Sequence, residues 1–300
     1  MMRPKTLLFA LAVLLTFSIA IHAQPPRAPA SNAYKQIEQT LGFVPQFMRA
    51  VPDEALPAAF EEMRVLEMSD TALSMKTKEL IGLGVAAQVP CTYCVYAHTQ
   101  FAKANGATER EIKEAVAMAA ITRHWSTVLN GMEIDKEAFD KETQRTFAHM
   151  RKQQKAAPAK EMPIKDAQSA YKDIEATLGA VPAFMKAFPS VAIAPAWREM
   201  KAVQLNPNTA LDGKAKELIG LGVAAQVPCD YCVRFHTMAA RHHGASQQEI
   251  QEAVAMAALT RHWSTFLQGS RQDEAQFRRD IDRMVKTAKD RPKTQKQATR

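Results

Sequence analysis

Apolar positions along this chain recur at helical spacing, and no run of alternating β-branched and polar residues suggests a strand. Thr71 to Gln88 reads as one helix, with Leu80, Leu83, Gly84 and Ala87 on a common face. Pro90 stops that helix or opens the next. Cys91 to Asn105 forms a second helix, ended by Gly106 where a left-handed residue is wanted. Thr108-x-x-Glu111 spells a capping box, and Ile112, Ala115, Val116 and Ala119 give the third helix a buried stripe. A shorter helix precedes these, near Tyr34 to Leu41. Gly82 and Gly84 weaken the first long helix by roughly 1 kcal/mol each relative to Ala, so their expected use is close helix–helix approach.

The same pattern then returns. Lys76 to Gly131 aligns with Lys214 to Gly269 without a gap at an offset of 138, and 40 of the 56 positions are identical. Upstream, Tyr34 to Pro52 matches Tyr171 to Pro189 at an offset of 137, which places a one-residue gain or loss near Asn206-Pro207-Asn208. The second copy has its own early helix, Tyr171 to Leu178, and its own capping box, Ser246-x-x-Glu249. A period this long is a domain duplication rather than a solenoid. The expected fold class is all-α, with tandem helical bundles at 31–150 and 169–284. A Pro- and Lys-containing linker at 151–168 joins them, and a basic tail at 285–300 is expected to be disordered. The 300 residues suit two domains, and 47% hydrophobic content is enough for a real core.

The ends carry targeting and charge. Met1-Met2-Arg3-Pro4-Lys5 followed by the apolar run Leu7 to Ile21 has the form of a secretory signal peptide over 1–23, with small-residue cleavage options after Ala20 or Ala23. The run is marginal as a permanent membrane span. Export, to a periplasmic location, is expected, with no stable membrane insertion after cleavage. The formal charge of +8 is concentrated toward Arg278 to Arg300. Such a run reads as a solvated tail, and no nucleic-acid partner is expected.

All four cysteines fall inside the duplicated motif: Glu79-x11-Cys91-x2-Cys94-x3-His98 and Glu217-x11-Cys229-x2-Cys232-x3-His236. On a helix, Cys91, Cys94 and His98 share one face. The cysteines sit in the first turn, where unpaired backbone N–H groups and the positive end of the helix dipole favour thiolate. The pair can cycle between dithiol and disulfide. His98 is placed to accept the Cys94 proton directly or through water, and Glu79, folded back from the preceding helix, would orient the imidazole. A structural staple is a weaker reading, because so short a loop constrains the unfolded chain little. Haem attachment is rejected, since Val95 and Val233 follow the second cysteines where His is needed. Zinc on Cys91, Cys94 and His98 would need Glu79 or water as fourth ligand, and the set lies mostly on one helix face. A thioredoxin-like reading lacks its strands. Arg123-His124-Trp125 and Arg261-His262-Trp263 also repeat; their ordinary reading is a helix C-terminus with a packed Trp.

With these residues in view, the chain resembles the AhpD-like alkylhydroperoxidase and carboxymuconolactone decarboxylase superfamily. The likeness is carried by Glu-x11-Cys-x-x-Cys-x3-His, Gly-Ala-Thr-x-x-Glu-Ile and the Ala-rich helix after it, tightly over Lys76–Leu129 and Lys214–Leu267. The resemblance implies an all-helical fold and homo-oligomers. It implies Cys94 and Cys232 as peroxidatic cysteines, Cys91 and Cys229 as resolving ones, and Glu79, His98, Glu217 and His236 as proton relays. Tyr93 and Tyr231 stand where the best-known peroxidases of the family carry a His, so the chain departs from the family's relay at that position.

The resulting expectation is a thiol-dependent peroxidase that takes a hydroperoxide substrate and an unidentified dithiol or protein reductant, with no cofactor and no metal. An exported thiol–disulfide oxidoreductase acting on protein disulfides is the alternative. A non-enzymatic protein with structural disulfides or zinc is the third reading.

Overall fold

In the computed structural model the described residues are 30–153 and 163–290. The expected leader, 154–162 of the expected linker, and 291–300 of the expected tail lie outside them. The described residues are helical, and no strand occurs among them. The first copy contributes α1 (Ala30–Leu41), α2 (Leu56–Glu62), α3 (Met75–Gln88), α4 (Thr92–Ala104), α5 (Glu109–Gly131) and α6 (Lys136–Gln153). The second contributes α7 (Ala167–Leu178), α8 (Ala183–Ala187), α9 (Ser190–Val203), α10 (Gly213–Gln226), α11 (Asp230–His242), α12 (Gln247–Gly269) and α13 (Glu274–Asp290). A π-helical turn, Met63–Glu67, extends α2.

Local chemistry sets the helix ends. Ser74 caps α3 by accepting the Thr77 N–H, and the Asp70 carboxylate takes the Met75 N–H. The helix therefore starts at Met75, later than the apolar spacing predicts. Thr108–Glu111 and Ser246–Glu249 form the expected capping boxes. Gly106 adopts the left-handed conformation, φ 86°. On α5, Ile112, Ala115 and Ala119 are buried as expected, but Val116 is exposed and Met118 takes its place in the core. Ala87 is only half-buried, because α3 is central and buries most of its length all round rather than one stripe.

The two copies interlock. The centres of α3 and α10 cross, and each glycine admits a side chain of the other copy. A Cβ on Gly84 would lie 2.9 Å from Ile219 Cγ2, and one on Gly222 the same distance from Ile81 Cγ2. Val85, Ala119, Val223 and Ala257 close the small core between them. Polar ties are reciprocal as well. Glu252 accepts the backbone N–H groups of Ala72 and Leu73, while Glu114, its equivalent, accepts those of Ala210 and Leu211. This is an isologous arrangement built within one chain.

The last helix of each copy crosses to the other. α13 lies along α4, and α6 lies along α11. Phe277, Ile281 and Met284 bury the face that holds α13 in place. That face carries the helix to Asp290, so 285–290 of the expected tail is helical.

Candidate active site

The motif residues converge where α3 meets α4 and, equivalently, where α10 meets α11. Cys91 is the N-cap of α4, and its sulfur accepts the Cys94 N–H at 3.2 Å; Cys229 and Cys232 repeat this at 3.3 Å. The sulfurs of Cys91 and Cys94 are bonded to each other, as are those of Cys229 and Cys232. All four cysteines are buried. Glu79 Oε2 and His98 Nδ1 share a hydrogen across 2.7 Å, and Glu217 Oε2 and His236 Nδ1 across 2.6 Å. The spacing places both groups because α3 and α4 pack side by side with a glycine between: a Cβ on Gly82 would fall 2.5 Å from the His98 ring, and Gly220 gives His236 the same room. Gly82 thus serves the imidazole, while Gly84 serves helix approach.

The hydrogen-bond partner of His98 Nε2 is not on its own copy. It is Thr260 Oγ1 of α12, at 3.3 Å, and Thr122 Oγ1 of α5 stands 3.2 Å from His236 Nε2. Beside each His–Cys pair is a cavity with mostly apolar walls. The first is lined by Cys94, His98 and Glu67 from one copy, and by Thr260, Trp263, Phe277 and Met284 from the other. The second is lined by Cys232, His236 and Gln204, opposite Thr122, Trp125, Phe139 and Thr146. Each site is therefore assembled from both copies. The repeated Trp residues lie within long helices rather than at helix ends, and both face these cavities. The buried Trp263 indole N–H has no partner among the described residues. The hydroxyls of Tyr93 and Tyr231 donate to the carbonyls of Gln272 and Ile134 across the copy interface.

A model of the carboxymuconolactone decarboxylase family matches residues 54–137 and 192–273, together more than half of the chain. The chain belongs to the carboxymuconolactone decarboxylase family. A protein of unassigned function from the cox locus of Paracoccus denitrificans is 37% identical over 65 residues, covering 22% of this chain and 59% of that protein. An uncharacterized protein of Cupriavidus necator is 38% identical over 77 residues, 26% of this chain and 59% of its own length. The chain thus spans about three-fifths of the length of these curated relatives. The crystal structure of a protein described as a gamma-carboxymuconolactone decarboxylase subunit from Burkholderia xenovorans superposes with a TM-score of 0.54. At 17% identity, covering 82% of this chain and 96% of that one, it shares the fold.

Within this member of the carboxymuconolactone decarboxylase family the two sites are not copies. Glu67, at the end of the π-helical turn, corresponds to Gln204 at the offset of 137. Gln204 Nε2 donates to Glu217 Oε1 at 3.1 Å. Glu67 instead brings a second carboxyl group, 3.6 Å from His98 Nδ1, and the donor atoms of Glu67, Glu79 and His98 all lie within 4.8 Å of one another. Burial pushes the Glu67 carboxyl up to about 8; the Glu79 charge adds to this, and His98 and Lys78 oppose it. Burial likewise raises Glu79 well above the usual carboxylate range and lowers His98, against the pull of the Glu67 charge. Lys78, wholly buried beside them, gives its ammonium to the carbonyls of Leu66 and Ser69. The cavity walls differ too: Thr143 and Thr146 of α6 stand where α13 has Ile281 and Met284.

The structure brings together the Glu, Cys, Cys and His of each repeated motif. Chain pattern does not single out Thr122, Thr260, Glu67 or Gln204. The two threonines were visible inside the recurring block Thr-Arg-His-Trp-Ser-Thr; Glu67 had no such mark, because the copies differ there.

Proposed function

We propose that the protein is a thiol-dependent peroxidase that reduces hydroperoxides at Cys94 and Cys232. The observation that supports this most directly is one arrangement: a buried, disulfide-forming Cys94 shares an apolar cavity with a histidine whose far nitrogen is held by a carboxylate. In the reduced state the Glu79–His98 pair takes up the Cys94 proton, and the helix N-terminus stabilises the thiolate. The thiolate attacks one peroxide oxygen, the alcohol leaves, and Cys91 resolves the sulfenic acid as the disulfide. A dithiol donor restores the pair.

The alternative, exchange with protein disulfides, is disfavoured by burial. Cys94 and Cys232 are 3% and 4% exposed, and thiol–disulfide exchange requires a partner sulfur to reach one of the pair. A small hydroperoxide can enter a cavity that a folded protein cannot.

The test is peroxide consumption with a small dithiol as electron donor. The parent protein is expected to turn over an organic hydroperoxide, and the Cys94→Ser/Cys232→Ser variant to lose that turnover. Equal rates would overturn the reading. Reduction of a protein disulfide without peroxide, at a rate exceeding peroxide turnover, would favour the alternative.

A further inference from the structure

We propose that Glu67 is the general acid of the first site, protonating the oxygen that leaves the hydroperoxide, and that the second site lacks this donor because Gln204 occupies the equivalent position. The inference rests on the peroxidase reading and assigns the two sites different chemistry.

The position is the same in both copies, so the comparison is internal. Glu67 and Gln204 are both buried, Glu67 at the end of the turn that extends α2 and Gln204 at the C-cap of α9, and both line the cavity that holds the nucleophilic cysteine. Gln204 is committed to Glu217 through its amide N–H. Its neutral amide cannot give up a proton at any working pH. Glu67 can, and it is the one carboxyl among the first cavity's lining residues; Glu79 stands behind the imidazole. The second cavity has a carboxyl of its own, Glu142, but that group accepts the Ala183 N–H and caps α8. Its counterpart, Asp280, does the same for Gln46 N at the start of the short 3-10 helix Gln46–Ala50. Those two acids hold short helices and carry no site-specific difference.

The ionisable groups facing Glu67 are few. α3 supplies Lys78 and Glu79, with Lys78 also 3.6 Å from Glu252 of α12; α4 supplies His98 and Cys94. α13 presents Phe277, Ile281 and Met284. A carboxyl in this setting remains protonated at neutral pH, and an acid that titrates near the working pH is the most effective proton donor.

The step balances. The Cys94 thiol gives its proton to the Glu79–His98 pair and becomes thiolate. Its sulfur attacks the terminal oxygen of ROOH, the S–O bond forms, and the O–O pair departs with RO. Glu67 protonates that oxygen, giving ROH and a carboxylate. The proton held by Glu79–His98 then returns to Glu67, 3.6 Å from Nδ1. Cys91 thiol displaces water from the sulfenic acid. The sum is dithiol plus ROOH giving disulfide, ROH and water. In the second site the leaving oxygen must take its proton from the His236 pair or from water.

Single-site proteins separate the effects. In full-length protein, Cys229→Ser/Cys232→Ser leaves only the first site, and Cys91→Ser/Cys94→Ser only the second. Each is reduced and mixed with cumene hydroperoxide, and single-turnover oxidation is followed from pH 5 to 9.5. The first site should lose rate above about pH 8 as Glu67 ionises. Glu67→Gln should slow it by ~100-fold at neutral pH and abolish that basic limb. Gln204→Glu in the second-site protein should create such a limb, and it carries the test alone if Glu67→Gln does not fold. An unchanged rate and pH profile in folded Glu67→Gln overturns the proposal while the peroxidase reading stands. Stoichiometric divalent metal in the purified protein, lost in Glu67→Gln, would also overturn it. If peroxide oxidises neither single-site protein, the peroxidase reading fails and this assignment falls with it.

Discussion

Thr260 Oγ1 lies 3.3 Å from His98 Nε2, although the two residues are 162 positions apart and belong to different copies. Thr122 and His236 make the reciprocal contact at 3.2 Å. The hydroxyl and Nε2 share a hydrogen, which fixes the imidazole on the side away from Glu79. Removing that hydroxyl should give a crossed phenotype. Thr260→Val should slow peroxide oxidation at Cys94 and spare Cys232; Thr122→Val should do the reverse. One buried hydrogen bond is worth about 0.5–1.5 kcal/mol, so a loss of roughly 3- to 10-fold is expected. Mass spectrometry of the separate cysteine peptides after a peroxide pulse reads both sites at once. Equal slowing of both by either variant would contradict the assignment.

The contact between Gly82 and His98 predicts a steric effect. A methyl group on Gly82 would sit 2.5 Å from the ring and on Gly220 2.4 Å. Gly82→Ala should push His98 off Glu79, although alanine is the better helix former. The expected stability change is a loss of about 1–3 kcal/mol, typical of overpacking. Peroxide reactivity at Cys94 should fall by more than the change in folding explains. Denaturant melts together with single-site oxidation rates check this; a stabilised variant with normal reactivity would refute it.

Glu67 also predicts a pH dependence of stability. Its carboxyl is raised in the folded protein from 4.5 to about 8, so the folded state holds a proton that the unfolded chain has released in that interval. The associated stability is complete below about pH 4.5 and is lost as pH rises toward 8. In Glu67→Gln this loss should vanish, so the Tm of the variant relative to that of the parent should rise from pH 5 to about pH 8. Parallel Tm–pH curves for the two proteins would rule out a buried, proton-bearing Glu67.

Tyr93 offers a control. Its hydroxyl donates to the Gln272 carbonyl at 2.7 Å, and its ring stacks edge-on against Phe277, 5.3 Å between centroids. Tyr93→Phe keeps the ring and loses the tie. It should lower stability by about 0.5–1.5 kcal/mol and leave the oxidation rate of Cys94 within twofold. A large rate loss without unfolding would restore a proton-relay role to the position between the cysteines.

Much of this architecture is legible in the chain because its signals are local. The capping boxes, Gly106 and the i, i+3, i+7 spacing of Cys91, Cys94 and His98 each act within a turn or two. Errors arise where tertiary packing overrides a one-sided pattern. The central α3 has no solvent face along most of its length, so Lys78 is wholly buried and a single apolar stripe does not describe the helix. The candidate site residues are legible where the copies agree. Glu67 escaped because agreement between copies was the signal, and there they disagree. Thr260 escaped because neither periodicity nor spacing reports which copy a side chain touches.

The reciprocal crossing of α6 and α13 has a further consequence. Two separate identical subunits joined this way would part on dilution, and every residue in one pocket would have to serve in the other. A covalent link supplies each half with its partner at a high effective concentration, whatever the amount of protein present. It also frees the halves from identity. One pocket can keep Glu67, Ile281 and Met284 while the other takes Gln204, Thr143 and Thr146. Fusion therefore makes possible a division of labour that two identical subunits cannot have.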